Sequence, residues 1–64
     1  MEEDPNIIQV ARVMFKSFGL HAAILMEERA DDHLRTGDVE SGDFWWRVAE
    51  AIRELEEKGQ IVLH

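Results

Sequence analysis

The chain has 64 residues, a net charge of −7 and no cysteine. A length of this order allows one domain with a small core, because a ~60-residue chain buries only ~60% of the surface it exposes when unfolded. Disulfide frameworks, thiolate zinc sites and cysteine nucleophiles are excluded, and 45% hydrophobic with 33% charged residues describes a folded soluble protein rather than a disordered tail.

Residues 1–4, Met1-Glu2-Glu3-Asp4, read as a short acidic extension rather than the basic start of a signal peptide. Asp4-Pro5 is a helix-start signature, with Asp as N-cap and Pro at the first helical position. Gly19 reads as a left-handed stop, so the first helix is expected over 5–18. At ~100° per residue, Ile7, Ile8, Val10, Ala11, Val13, Met14, Phe15 and Phe18 cover an arc of about 220°. Such a helix is expected at the centre of the fold or against a partner. Its surplus apolar edges are Ile8 and Phe15 on one side, Val10 and Val13 on the other.

A second helix is expected over 20–36, closed by Gly37. Its apolar side holds Leu20, Ala22, Ala23, Met26, Ala30 and Leu34, and the small alanines allow close approach of another helix. A third helix is expected over 39–58, with Phe44, Trp45, Val48, Ala49, Ala51, Ile52 and Leu55 within about 160° of arc. Asp38 and Ser41 both suit its N-cap, and Gly42 weakens its first turn. Residues 60–64 form a β-prone tail too short to make a sheet alone. The fold class is therefore all-α, a single domain built as a small three-helix bundle with short connections. No apolar run approaching the ~20 residues of a bilayer span is apparent, and a cytoplasmic location is expected.

Gly19, Ala22-Ala23, Arg29-Ala30-Asp31, Gly37-Asp38, Gly42 and Trp45 with Val48, Ala51-Ile52 and Leu55 make a running pattern. Over roughly residues 10–56 it resembles a family of short uncharacterised bacterial proteins with the order G-x-x-A-A, R-A-D, G-D, G and W-x-x-hydrophobic-x-x-A-I-x-x-L. The resemblance implies a small, soluble, helical protein encoded as a stand-alone chain. It carries no activity, ligand or functional residue across. Trp46 lies outside the pattern.

The charge excludes further classes. Fourteen carboxylates face seven cations scattered singly at Arg12, Lys16, Arg29, Arg35, Arg47, Arg53 and Lys58, so there is no basic stripe for nucleic acid or an anionic membrane. Residues 27–33, Glu27-Glu28-Arg29-Ala30-Asp31-Asp32-His33, hold the densest set of ligand-type side chains, with Glu28–Asp32 and Glu27–Asp31 at i,i+4. Without a calcium loop or a Glu-x-x-His pair they read as a solvated helix face. His33 falls inside the apolar arc and reads as a packed boundary histidine with one hydrogen-bonded nitrogen; no serine or second histidine suggests a triad. Glu27 falls in the same arc and needs a donor, either Arg47 or Arg53. The Gly37-Asp38 and Ser41-Gly42-Asp43 segments lack the lysine of a phosphate loop.

Trp45 lies on the apolar arc and is expected in the core. Trp46 points beyond it, beside Arg53, and is either a binding anchor or a ring stacked by Arg53 and covered by the tail. These readings favour a non-enzymatic protein–protein interaction role, without cofactor or metal, through self-association as a homodimer. The candidate surface is Ile8, Val10, Val13, Phe15 and Trp46. An acidic regulator or DNA mimic that binds a basic protein is the alternative, and a small-ligand or metal binder ranks third.

Overall fold

The computed structural model describes residues 4–57, and everything described beyond Asp4 and a short turn is helical: α1 (Pro5–Phe18), a 3-10 turn (Gly19–His21), α2 (Ala22–Arg35) and α3 (Val39–Glu57). The all-α expectation holds. The three-helix bundle is corrected, because α1, the 3-10 turn and α2 follow one another with no non-helical residue between them. The described residues therefore form two helical arms, a bent one over Pro5–Arg35 and a second over Val39–Glu57. Residues 1–3 of the acidic extension 1–4 and the whole tail 60–64 lie outside the described residues.

Local signals explain each boundary. The Asp4 carboxylate accepts from the Asn6 N–H at 2.9 Å and Pro5 opens the helix, which satisfies donors that a helix start leaves unpaired. Gly19 adopts φ 62° and ψ −137° while its N–H bonds to the Phe15 carbonyl. A Cβ there would meet nothing within 4 Å, so the backbone angle alone selects glycine. The second arm begins after a tight closure. The Gly37 N–H bonds to the Leu34 carbonyl at 3.1 Å and the Asp38 N–H to the His33 carbonyl at 2.8 Å. This is the two-bond Schellman arrangement, with Gly37 at φ 87° in the left-handed position. Asp38 then caps α3, accepting from the Ser41 N–H at 3.2 Å. Of the two N-cap candidates, the structure selects Asp38.

The centre of the fold is α3, not α1. α2 and α3 pack along most of their length, α1 lies mainly on α3, and α1 touches α2 only lightly. The buried set is Ile7, Ala11 and Phe15 from α1, Ala22, Ala23, Met26 and Ala30 from α2, and Val48, Ala49, Ala51 and Ile52 from α3. At the α2–α3 crossing Gly42 is buried, and a Cβ on it would lie 2.6 Å from Leu34 Cδ2 and 3.2 Å from the Ala30 carbonyl oxygen. Gly42 is therefore a close-approach residue as well as a weak point in the first turn. The Cα atoms span 39 × 26 × 16 Å, and the short axis matches about two helices packed 8–10 Å apart. A body this thin has one shared interior layer, and on α1 it leaves Val13 and Phe18 exposed.

The bent arm also contains an 18-residue window of mean hydropathy 1.2 with no more than two charged residues. By length and composition alone it is apolar enough to cross a membrane, which corrects the expectation that no such stretch exists. Core helices of soluble proteins meet the same test, and this arm is bent at Gly19.

Candidate interaction surface

The bend of the first arm brings apolar side chains to the surface. Val13, Phe18, Leu20 and Ile24, all within twelve residues, are between 47% and 61% exposed. The predicted surface is placed differently at several positions. Val13 and Trp46 are exposed, Ile8 is half-buried, Val10 packs against the core, and Phe15 is only 6% exposed. Phe15 is a core residue on a helix that lies mainly against α3, so this edge of the apolar arc is not surplus. Periodicity gives the width of an apolar face but not which neighbour covers it. Phe18, Leu20 and Ile24 lie outside the expected surface; Ile24 falls off the apolar arc of its helix by periodicity alone, and Phe18 and Leu20 flank the bend at Gly19.

A cleft of about 630 Å³ adjoins this surface. Met14, Phe18, Leu25 and Met26 give it apolar walls, and Glu28, Arg29, Asp32 and His33 line its polar side. Two of the four polar groups are engaged elsewhere. The Arg29 guanidinium sits 5.0 Å from the centroid of Trp45, a cation–π distance, and Trp45 meets Phe44 edge-on at 5.1 Å. His33 Nδ1 lies 3.4 Å from the Asp38 carboxylate. These two residues occupy the positions of the Schellman closure that commonly make an apolar contact. Here a polar pair takes its place. Glu28 and Asp32 have no ion-pair or hydrogen-bond partner among the described residues.

Asp38 has its pKa held below the usual carboxylate value, first by hydrogen bonds from the Ser41 hydroxyl and backbone N–H, then by the nearby His33. Arg53 donates from Nε at 3.1 Å and from a terminal nitrogen at 2.7 Å to the same Glu27 oxygen, and this contact raises its pKa. Arg53 is thus the donor for Glu27, and it is Trp45 with Arg29, not Trp46 with Arg53, that makes the cation–π contact. Trp45 is half-buried against the core rather than enclosed by it. Asp43 takes Arg47 at 2.8 Å and Asp31 takes Arg35 at 2.9 Å, both i,i+4. No group of three or more His, Asp or Glu among the described residues is arranged to hold a metal ion.

Charge is segregated along the fold, which the whole-chain balance hides. Residues 5–26 carry Arg12 and Lys16 and no carboxylate, whereas 27–57 carry eleven carboxylates against four arginines. Residues 5–26, more than two thirds of the bent arm, are basic and apolar; residues 27–57 are acidic. No protein-family model matches this chain, and no curated protein or solved structure matches it.

Proposed function

We propose that this protein is a non-enzymatic interaction module of the cytoplasm that self-associates as a homodimer. The observation that carries the reading is the exposed apolar group Val13, Phe18, Leu20 and Ile24 around the bend. Large apolar side chains left exposed along one short segment are a feature of interaction sites on soluble proteins. Small domains without disulfides or metals commonly compensate for a thin core by association, and two-fold closure is the commonest form. Light scattering after size exclusion tests it. The expected result is a dimer that Val13→Asp or Phe18→Asp converts to monomer. A monomer at ~100 μM overturns it, since specific dimers form well below that concentration. Removing residues 60–64 addresses the rival in which the tail covers this surface: truncation then creates the dimer rather than leaving it unchanged.

The acidic stretch 27–57 supports the second reading, an acidic regulator or DNA mimic that captures a basic protein. The two readings separate by salt. Capture of a basic partner weakens steeply between 50 and 300 mM salt, whereas apolar self-association changes little. Neither predicts binding to duplex DNA at ~0.15 M salt.

A further inference from the structure

We propose that the cleft beside the bend receives α1 of a second copy, with Arg12 and Lys16 of one chain set against Glu28 and Asp32 of the other, reciprocally about a two-fold axis. The inference rests on the self-association proposed above and names the surfaces that meet. It comes from spacing and charge together. Arg12 and Lys16 are exposed, four residues apart, and have no partner among the described residues. Glu28 and Asp32 are also exposed, four residues apart and unpartnered. At ~1.5 Å rise per residue, both pairs repeat about every 6 Å along their helices, so two helices laid side by side can match both contacts at once. The other charged groups on the cleft do not compete. Arg29 is held over Trp45 and His33 faces Asp38, which leaves the two carboxylates as the available charge beside Met14, Phe18 and Leu25. A helix that presents an apolar side chain between two cations one turn apart, with no carboxylates, complements that lining. α1 is such a helix, with exposed Val13 between Arg12 and Lys16 and no acidic residue between 5 and 18. Matching opposite charges on one surface fixes register and excludes the like-charged alternative.

The test uses the full chain in two charge-reversed forms, Arg12→Glu with Lys16→Glu, and Glu28→Lys with Asp32→Lys. All four positions are exposed, so both forms are expected to keep the wild-type helical circular dichroism. Each alone should be monomeric, with its dimer Kd raised at least tenfold, because like charges now face each other across both contacts. Mixed in equal amounts they should form a heterodimer, seen as the mixed mass by native mass spectrometry and as a doubled mass by light scattering. A wild-type dimer with affinity unchanged by either reversal overturns this docking and leaves self-association standing. So does loss of the dimer in both forms without recovery on mixing. A wild type that is monomeric at ~100 μM overturns both proposals.

Discussion

The α2–α3 hairpin and the α1 arm hold their apolar residues differently. In the hairpin the buried residues are mostly small, with Ala22, Ala23 and Ala30 on α2 and Gly42, Ala49 and Ala51 on α3. Val48 and Ile52 are fully enclosed, and Gly42 lets α3 approach Leu34 and the Ala30 carbonyl closely. On α1 only Ile7, Ala11 and Phe15 are buried, while Val13 and Phe18 stay half exposed. The same residue classes therefore give a seam in one place and an open face in the other, because a helix needs neighbours on both sides of a wide apolar arc to bury it. Stability is concentrated in the hairpin, and binding potential in the arm.

The sharpest way to break that comparison is to truncate one residue from each region. Ile52→Ala removes a side chain with no exposed surface and should cost ~2–5 kcal/mol, as for buried aliphatic truncations. Val13→Ala should stay within ~0.5 kcal/mol, as for surface substitutions, when urea melts are run dilute. Equal losses would mean that α1 is as deeply packed as the hairpin. The tryptophans extend the same contrast within α3. Trp45 packs against the core, meets Phe44 and carries Arg29. Trp45→Ala should cost about 2 kcal/mol, below the ~3–5 kcal/mol of a fully enclosed aromatic. Trp46 is 47% exposed, and Trp46→Ala should cost less than ~1 kcal/mol. The reverse order in denaturant melts would place Trp46 in the interior.

Gly42 allows a prediction whose sign depends on its neighbour. Alanine is preferred to glycine inside a helix by ~1 kcal/mol, but its Cβ would strike Leu34 and crowd the Ala30 carbonyl. Overpacking of this kind costs ~1–3 kcal/mol, so Gly42→Ala should destabilise by about 1 kcal/mol. In a Leu34→Ala background the clash is relieved, and the same change should be neutral or stabilising. Destabilisation of equal size in both backgrounds would show that the backbone contact, not Leu34, sets the approach distance.

The smallest expected effect lies at the junction itself. The Asp38 pKa is lowered below its ordinary 3.8 in the folded state, so the ionised form favours folding. Its contribution is fully present above pH ~4 and is lost as the pH falls through the lower folded-state value. Asp38→Asn removes the titration, so the variant should differ most from wild type above pH ~4 and approach it in stronger acid. A constant difference across that range, in thermal melts from pH 2 to 6, would rule out the charge as the source of the cap's effect.

How much of this was legible in the residues depended on how local each cause was. Asp4-Pro5, Gly19 and Gly37 act within one turn of backbone, so the helix limits could be read to within two residues of those observed. Glu27 stands on the apolar side of its helix, which narrowed its donor to two arginines, and the approach of α3 selects Arg53. The Arg29–Trp45 contact joins residues sixteen positions apart and leaves no periodic trace in either helix. The central place of α3 is hidden for the same reason: α1 has the wider apolar arc, yet the helix that contacts both others is set by the direction of the bend at Gly19. The burial of Phe15 is hidden too, because face width alone cannot say which edge a neighbour covers.

The three-residue junction Thr36-Gly37-Asp38 has a kinetic consequence. Closing so short a connection removes little chain entropy, and Asp38 ends one helix and starts the next without any further residue having to be ordered. Hairpin contacts therefore form at low contact order, the condition under which helical domains fold in microseconds to milliseconds. The hairpin should assemble first as a nucleus with its own seam, and α1 should dock onto α3 afterwards. In native-state hydrogen exchange the amides of α1 would then open at lower free energy than those of α2 and α3. The arm that carries the proposed binding face is also the last part of the chain to commit to the fold.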